Sequence, residues 1–341
     1  MRVLTVVGAR PQFIKAAPVS KLLRRGHEEC LVHTGQHYDD TMSDLFFRQL
    51  SIPTPDVNLG VGSASHGAQT GAMLPGIEEI ALDYRPDRLL VYGDTNSTLA
   101  GALVGAKLHI PVAHVEAGLR SFDRRMPEEV NRVVADHLSS FLFSPTATGV
   151  ENLRREGITE GVKLTGDVML DAFRQHLELA PASARGDYIL MTIHRAENTD
   201  SQPRLGAILQ GAGDSGLRVV LPMHPRTKAV LVASEIKVPS NVQVIEPVGY
   251  LEMLALEADA EAIATDSGGV QKEAYFSGRP CITLRDTTEW PETVDAGWNV
   301  LVGADPQRIA SAMREFRPSG SRPELFGDGH AAQRVVDSLT T

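Results

Sequence analysis

Five polar clusters in this chain follow directly on apolar runs, and their residue types suit proton transfer and anion binding. They are Arg10 with Lys15, Asp94 in Tyr92-Gly93-Asp94-Thr95-Asn96-Ser97, Glu116 in His114-Val115-Glu116-Ala117-Gly118, His194-Arg195, and Asp266-Ser267-Gly268-Gly269. A carboxylate ending an apolar strand is partly desolvated, which pushes its pKa up unless a cation stands near; Arg120, Arg124 and Arg125 are close enough in sequence to supply one to Glu116. Ser267-Gly268-Gly269 ahead of a helical run presents bare backbone N–H groups to a phosphate at the positive helix end. His194 and His224, each just past an apolar strand, could face a diphosphate together with Arg195 and Arg226. Plainer roles compete. Asp94 could cap the next helix, Glu116 could sit in an ion pair, and Glu128 and Glu129 after Pro127 fit first-turn acids.

These clusters need elements to hold them. Short β-branched runs alternate with stretches of helical period. Strands are expected at Val3 to Val7, Cys30 to Thr34, Leu89 to Tyr92, Val112 to Glu116 and Phe141 to Phe143. In the second half they fall at Tyr188 to His194, Val219 to Met223, Val242 to Ile245, Ala262 to Thr265, Cys281 to Leu284 and Val300 to Val302. Helices are expected near Phe13 to Arg25, Thr98 to Lys107, Glu128 to Leu138, Leu251 to Ala258, Val270 to Ser277 and Ala331 to Leu339. Near-continuous apolar strands between helices mean parallel sheets covered on both faces, so the fold class is α/β with two doubly wound, Rossmann-like domains. The division expected is residues 1–170, 171–320 and a final helical piece over 321–341, with Pro181 to Gly186 as linker. Ligands in such folds lie beyond the carboxyl ends of the strands, and an interdomain cleft is the default site.

The 341 residues suffice for about two domains, and 42% hydrophobic content can fill two cores. A net charge of -10 argues against nucleic acid or an anionic membrane as main partner, so any bound anion must be held by local positive charge. Two cysteines, Cys30 and Cys281, are too few for a disulfide framework and fit a reducing cytoplasm. No apolar stretch is long enough to span a membrane, and the first fifteen residues lack the apolar region of a signal peptide.

Three patterns fail their context tests. Gly211, Gly213 and Gly216 have dinucleotide-fingerprint spacing but follow a helical stretch, not a strand. His33 and His37 are spaced i,i+4, yet Gly35 between them and the departure from a strand make a helical zinc site improbable. There is neither a Walker A loop nor a GxSxG elbow. No cofactor and no metal are expected.

Across nearly the whole chain the motifs resemble the non-hydrolysing UDP-N-acetylglucosamine 2-epimerase family. The matching stretches are Gly8-Ala9-Arg10-Pro11-Gln12-Phe13-Ile14-Lys15, Thr34-Gly35-Gln36-His37, Gly93-Asp94-Thr95, His114 to Arg120, Met126-Pro127-Glu128-Glu129 with Asn131-Arg132, His194-Arg195, Thr265 to Gln271 and Arg285 to Glu289. The resemblance implies a glycosyltransferase-B-like architecture, a C-terminal helix crossing back to the first domain, a homodimer and a UDP-sugar substrate. It also implies catalytic roles for Asp94, Glu116, Glu128 and His194, and nucleotide-sugar contacts from Arg10, Lys15, Ser267, Gly268, Gly269 and Glu273, with His224, Met253, Arg285 and Trp290 as further candidates. Trp290 stands where family members commonly carry an arginine, which leaves the exact sugar open, uronic acid derivatives included. Tyr38-Asp39-Asp40 and the lysine- and arginine-free stretch Ala64 to Glu79 predict weak or absent activation by a second substrate molecule.

The chemistry accounts for these residue types independently. Inverting C2 of an N-acetylhexosamine removes a hydrogen from a carbon with no adjacent carbonyl. A hydride relay would need a nicotinamide fingerprint, which the sequence lacks. Elimination remains: UDP leaves C1, the C2 proton is taken, and a glycal is reprotonated from the other face before UDP re-adds. That route needs at least two proton-transfer groups and donors for the departing diphosphate.

Overall fold

The computed structural model describes residues 1–36, 52–181, 186–234 and 236–340. His37, the Tyr38-Asp39-Asp40 stretch and most of the expected linker lie outside the described residues. The chain forms two compact units, Met1–Gln175 with Glu324–Thr341, and His176–Pro323.

In the N-terminal unit seven strands make one parallel sheet: β1 (Arg2–Val7), β2 (Glu28–His33), β3 (Val57–Asn58), β4 (Arg88–Tyr92), β5 (Val112–Val115), β6 (Phe141–Ser144) and β7 (Val162–Leu164). Their order is β3-β2-β1-β4-β5-β6-β7. Strand order reverses between β1 and β4, the place where a doubly wound sheet opens a crevice beyond its strand ends. Gln12, buried in the helix Arg10–Leu23, ties that point together. Its Oε1 accepts from Gly8 N (2.8 Å) and Ala9 N (3.0 Å), and its Nε2 donates to Tyr92 O (2.8 Å) and Thr98 Oγ1 (3.0 Å). The helices His66–Tyr84 and Asn96–Lys107 pack over a core that includes Leu4, Val6, Met73, Ile77, Leu89 and Val91.

The C-terminal unit repeats the pattern with β8 (Ile189–Thr192), β9 (Val219–Pro222), β10 (Val242–Ile245), β11 (Ala262–Thr265), β12 (Cys281–Thr283) and β13 (Asn299–Leu301), in the order β10-β9-β8-β11-β12-β13. Its switch point falls between β8 and β11. Two Rossmann-like parallel sheets are thus present, and both are near-continuously apolar in their central strands because helices cover both faces. The expected strand Tyr188 to His194 ends earlier, at Thr192, because the His194 and Arg195 N–H groups turn to the Asp266 carboxylate instead of continuing the ladder.

The C-terminal helix Ala331–Thr340 packs on the helix Arg10–Leu23 within the N-terminal unit. Buried Asp171 receives its first turn, accepting from Ala331 N (3.1 Å) and Ala332 N (2.9 Å). Gly211 and Gly213 lie inside the helix Gln202–Asp214, and a Cβ at Gly211 would meet Ile309 and the Pro306 carbonyl at 2.8 Å. Gly211 thus allows close packing of the helix Pro306–Glu315, and Gly213 leaves room for Pro239. No described helix is long and apolar enough to cross a membrane.

Candidate active site

In the N-terminal unit the residues beyond β1, β4 and β5 converge although their sequence separations are large. Lys15, in the second turn of the first helix, forms an ion pair with Glu116, just past β5; both side chains are buried. Glu116 holds a backbone φ of 74°, in the left-handed region that a residue with a Cβ enters only at a cost. The N–H groups of Glu116 and Ala117 both donate to Phe143 O (3.0 and 3.1 Å), which keeps the turn in place. Gly93 is held at φ 60°, and a Cβ there would lie 3.2 Å from both Glu116 Oε2 and Lys15 Nζ. Only glycine fits that turn comfortably.

Asp94 follows Gly93 and pairs with Arg132, a buried residue of the helix Pro127–Leu138. The capping alternative for Asp94 fails. Thr95 is the N-cap, its hydroxyl accepting from Thr98 N. Asn131 Nδ2 donates to the Asp94 carbonyl (3.0 Å), so two consecutive helix residues grip Asp94. Glu128 stands half-buried in the first turn of that helix. Its neighbour Glu129 accepts from Ser121 N (2.8 Å) and Phe122 N (3.0 Å) and faces Arg132 (3.4 Å), securing the preceding loop. Arg10 is half-buried at the start of the first helix.

Two of the three cations that sequence proximity offers to Glu116 are engaged elsewhere. Arg120 is bound to Asp136 and bidentately to Glu156, and Arg125 pairs with Asp123. Lys15 is the observed partner because β1 lies next to β4 and β4 next to β5.

In the C-terminal unit Ser267 caps the helix Gly268–Phe276, its Oγ accepting from Val270 N at 3.4 Å. A Cβ on Gly268 or Gly269 would meet nothing closer than 3.6 Å, and neither glycine has a positive φ. Packing and backbone geometry therefore do not demand glycine here. Its effect is to leave the backbone N–H groups of the helix start uncovered by side chains of their own. Asp266, fully buried, accepts from the backbone N–H of His194 (3.1 Å) and Arg195 (3.0 Å) and from Asn198 Nδ2 (3.1 Å), which sets the loop carrying the histidine. His194 lies 5.5 Å from His224, ring centre to ring centre. Desolvation lowers the pKa of both rings, against the pull of Asp266. His224 caps the helix Pro225–Ala233, its Nδ1 accepting from Arg226 N (3.2 Å).

Three further candidates, Trp290, Arg285 and Met253, are held by neighbours in the C-terminal unit. Trp290 is buried, its indole N–H donating to Gly268 O (3.0 Å) and its ring 4.5 Å from the Lys272 ammonium. Arg285 is buried against Glu289 (2.8 Å), and Met253 packs on the core around Leu190, Ile263 and Ala274. Glu273 is buried on the helix after Ser-Gly-Gly, near a second buried acid, Glu257. Gln12, Arg132, Asp266 and Glu129 appear in the sequence only as parts of longer motifs; their positioning roles emerge from long-range bonds that spacing cannot reveal. Among the described residues no three His, Cys, Asp or Glu side chains are grouped to hold a metal ion.

Comparison with known proteins adds to this geometry. Residues 21–340 match the family model for UDP-N-acetylglucosamine 2-epimerase. A UDP-N-acetylglucosamine 2-epimerase homolog of Methanococcus maripaludis is 52% identical over 99% of both chains. The UDP-2,3-diacetamido-2,3-dideoxy-D-glucuronate 2-epimerase of Pseudomonas aeruginosa is 49% identical, again over 99% of each chain. The crystal structure of Methanocaldococcus jannaschii UDP-GlcNAc 2-epimerase in complex with UDP-GlcNAc and UDP superposes with a TM-score of 0.93 at 44% identity, covering 100% of this chain and 99% of that one. The chain therefore belongs to the UDP-N-acetylglucosamine 2-epimerase family.

Proposed function

We propose that this protein reversibly inverts C2 of UDP-N-acetylglucosamine, giving UDP-N-acetylmannosamine, without hydrolysis. Family membership and full-length likeness to named epimerases support the activity. The observation that carries the mechanism is the buried Lys15–Glu116 pair, with Glu116 in a left-handed backbone conformation just past β5, and Asp94 with its partner Arg132 just past the neighbouring strand β4. A base takes the C2 proton, the C1–O bond to UDP breaks, and C1 and C2 become doubly bonded. A second carboxyl group then returns a proton to C2 from the opposite face while a diphosphate oxygen re-forms the bond to C1. Asp94, Glu116 and Glu128 are the proton-transfer groups in this scheme. Roles as acid and base require their pKa values to diverge, and a cation beside one carboxylate favours its ionised form. Ser267, Gly268, Gly269 and His194 receive the departing diphosphate, with Arg10 and Lys15 as further cationic contacts and Glu273 on the ribose.

Incubation with UDP-N-acetylglucosamine followed by proton NMR tests this. Conversion to an equilibrium mixture of two UDP-sugars is expected; free N-acetylmannosamine plus UDP would mean a hydrolysing enzyme, and sugar transfer to an added acceptor would mean a glycosyltransferase. The 49% identity to the Pseudomonas aeruginosa enzyme favours a second reading, in which a 2,3-diacetamido uronic acid nucleotide is the substrate. The same assay with that nucleotide distinguishes the two. A homodimer working in the cytoplasm completes the proposal. The family resemblance supports the dimer and the two free cysteines support the compartment; light scattering of the purified chain tests the dimer.

A further inference from the structure

His114 is fully buried in β5 and touches no group assigned to the substrate. Its Nδ1 lies 2.7 Å from Asp136 Oδ1 and its Nε2 lies 2.7 Å from the Gly93 carbonyl oxygen. A carbonyl oxygen only accepts. Asp136 is also an acceptor here: it takes Arg120 Nη1 at 2.7 Å and Gly118 N at 3.1 Å on its other oxygen. The Arg120 guanidinium beside Asp136 favours the ionised carboxylate. A ring that faces an acceptor from each nitrogen carries a hydrogen on each. Arg120 is shared between fully buried Asp136 and half-buried Glu156, which also faces His137 at 3.2 Å.

We propose that His114, as an imidazolium held by Asp136, is a positioning residue that fixes the Gly93–Asp94 peptide and thereby the registration of Asp94 against Glu116. The peptide carbonyl that receives Nε2 is the one linking Gly93 to Asp94, so its direction sets where the Asp94 backbone begins. On its other side Gly93 donates its N–H to Val115 O (3.0 Å) and borders both Glu116 Oε2 and Lys15 Nζ. One buried ring thus holds the turn from which one candidate proton-transfer group projects and against which the other rests. The kinetic part of this inference rests on the proposed epimerase function; the charge on the ring does not.

Nitrogen-15 NMR of the full chain with ring-labelled histidine tests the charge directly. The His114 ring is assigned in the unaltered protein by contacts to Val91 and Leu142, its register neighbours on β4 and β6. Two protonated ring nitrogens at pH 7.5 are expected, and a single neutral tautomer overturns the proposal. In the kinetic arm, His114→Gln is expected to lower kcat about 10- to 100-fold through misplacement of the carboxylates, with the Kd for UDP unchanged within about twofold. Unaltered kcat overturns the positioning role, as does a loss of UDP affinity equal to the loss in rate. An unaltered protein that epimerises no UDP-sugar would overturn the functional reading alone, with the NMR result still deciding the charge on His114.

Discussion

The two units share a strand order but differ in what they place beyond their central strands. In the N-terminal unit the carboxylates beyond the sheet rest on cations: Glu116 on Lys15, Asp94 and Glu129 on Arg132, and Asp136 on Arg120. In the C-terminal unit the strand ends present N–H groups, histidines and an open helix start, and the buried acid Asp266 spends its oxygens ordering that loop. In the proposed function the first Rossmann-like scaffold supplies the proton-transfer carboxylates, with Arg10 and Lys15 as added anion contacts, and the second supplies the main diphosphate contacts. The same topology supports both because function resides in the residues after the strands.

This contrast predicts that substitutions in the two units separate rate from binding. The largest effect is expected for Glu116→Gln: kcat falls by about 100- to 10,000-fold, the range for losing an acid–base group, while UDP binds normally by calorimetry. A parallel loss of UDP affinity would blur the division. Lys15→Met should come next. It leaves Glu116 buried without its cation, so unfolding in denaturant should show a loss of about 3–5 kcal/mol, accompanied by reduced kcat. On the other side, Gly269→Val adds bulk where nothing lies within 3.8 Å, so the fold tolerates it, but the N–H groups become covered. UDP affinity should drop about tenfold, equivalent to about 1.4 kcal/mol.

The smallest effect sharpens the contrast by its sign. Among the described residues neither carboxylate oxygen of fully buried Glu257 has a hydrogen-bond partner. Burial, reinforced by Glu273, pushes its pKa well above the ordinary value. A raised carboxyl pKa means that the folded protein retains a proton the unfolded chain has released. Stability is therefore lost as pH rises through the unfolded value of about 4.3 toward the folded one. Glu257→Gln should raise Tm at pH 7 by roughly 2–4 °C for each kcal/mol relieved, and the gain should vanish near pH 4. A thermal scan at the two pH values decides it.

Much of this was legible in the sequence. Apolar runs located the central strands, and the polar residues just after them named Asp94, Glu116, His194 and the Ser267 turn. The short outer strands Val57–Asn58 and Val162–Leu164 were missed because they are only two and three residues long and largely exposed. Pairings were less readable. Lys15 and Glu116 are 101 residues apart, and only the sheet order makes them neighbours, whereas Arg120 looked closer along the chain. Trp290 illustrates a different limit: its type allows stacking on a ligand or packing, and spacing does not reveal its bond to the Gly268 carbonyl or the Lys272 ammonium beside its ring. Asp171 likewise fixes where the last helix docks, through bonds no periodicity encodes.

The most direct test is turnover of UDP-N-acetylglucosamine in deuterium oxide, followed by NMR at C2 of both sugars. Elimination with reprotonation predicts that every molecule converted to the epimer carries deuterium at C2. Conversion that leaves the original hydrogen in place would contradict the account.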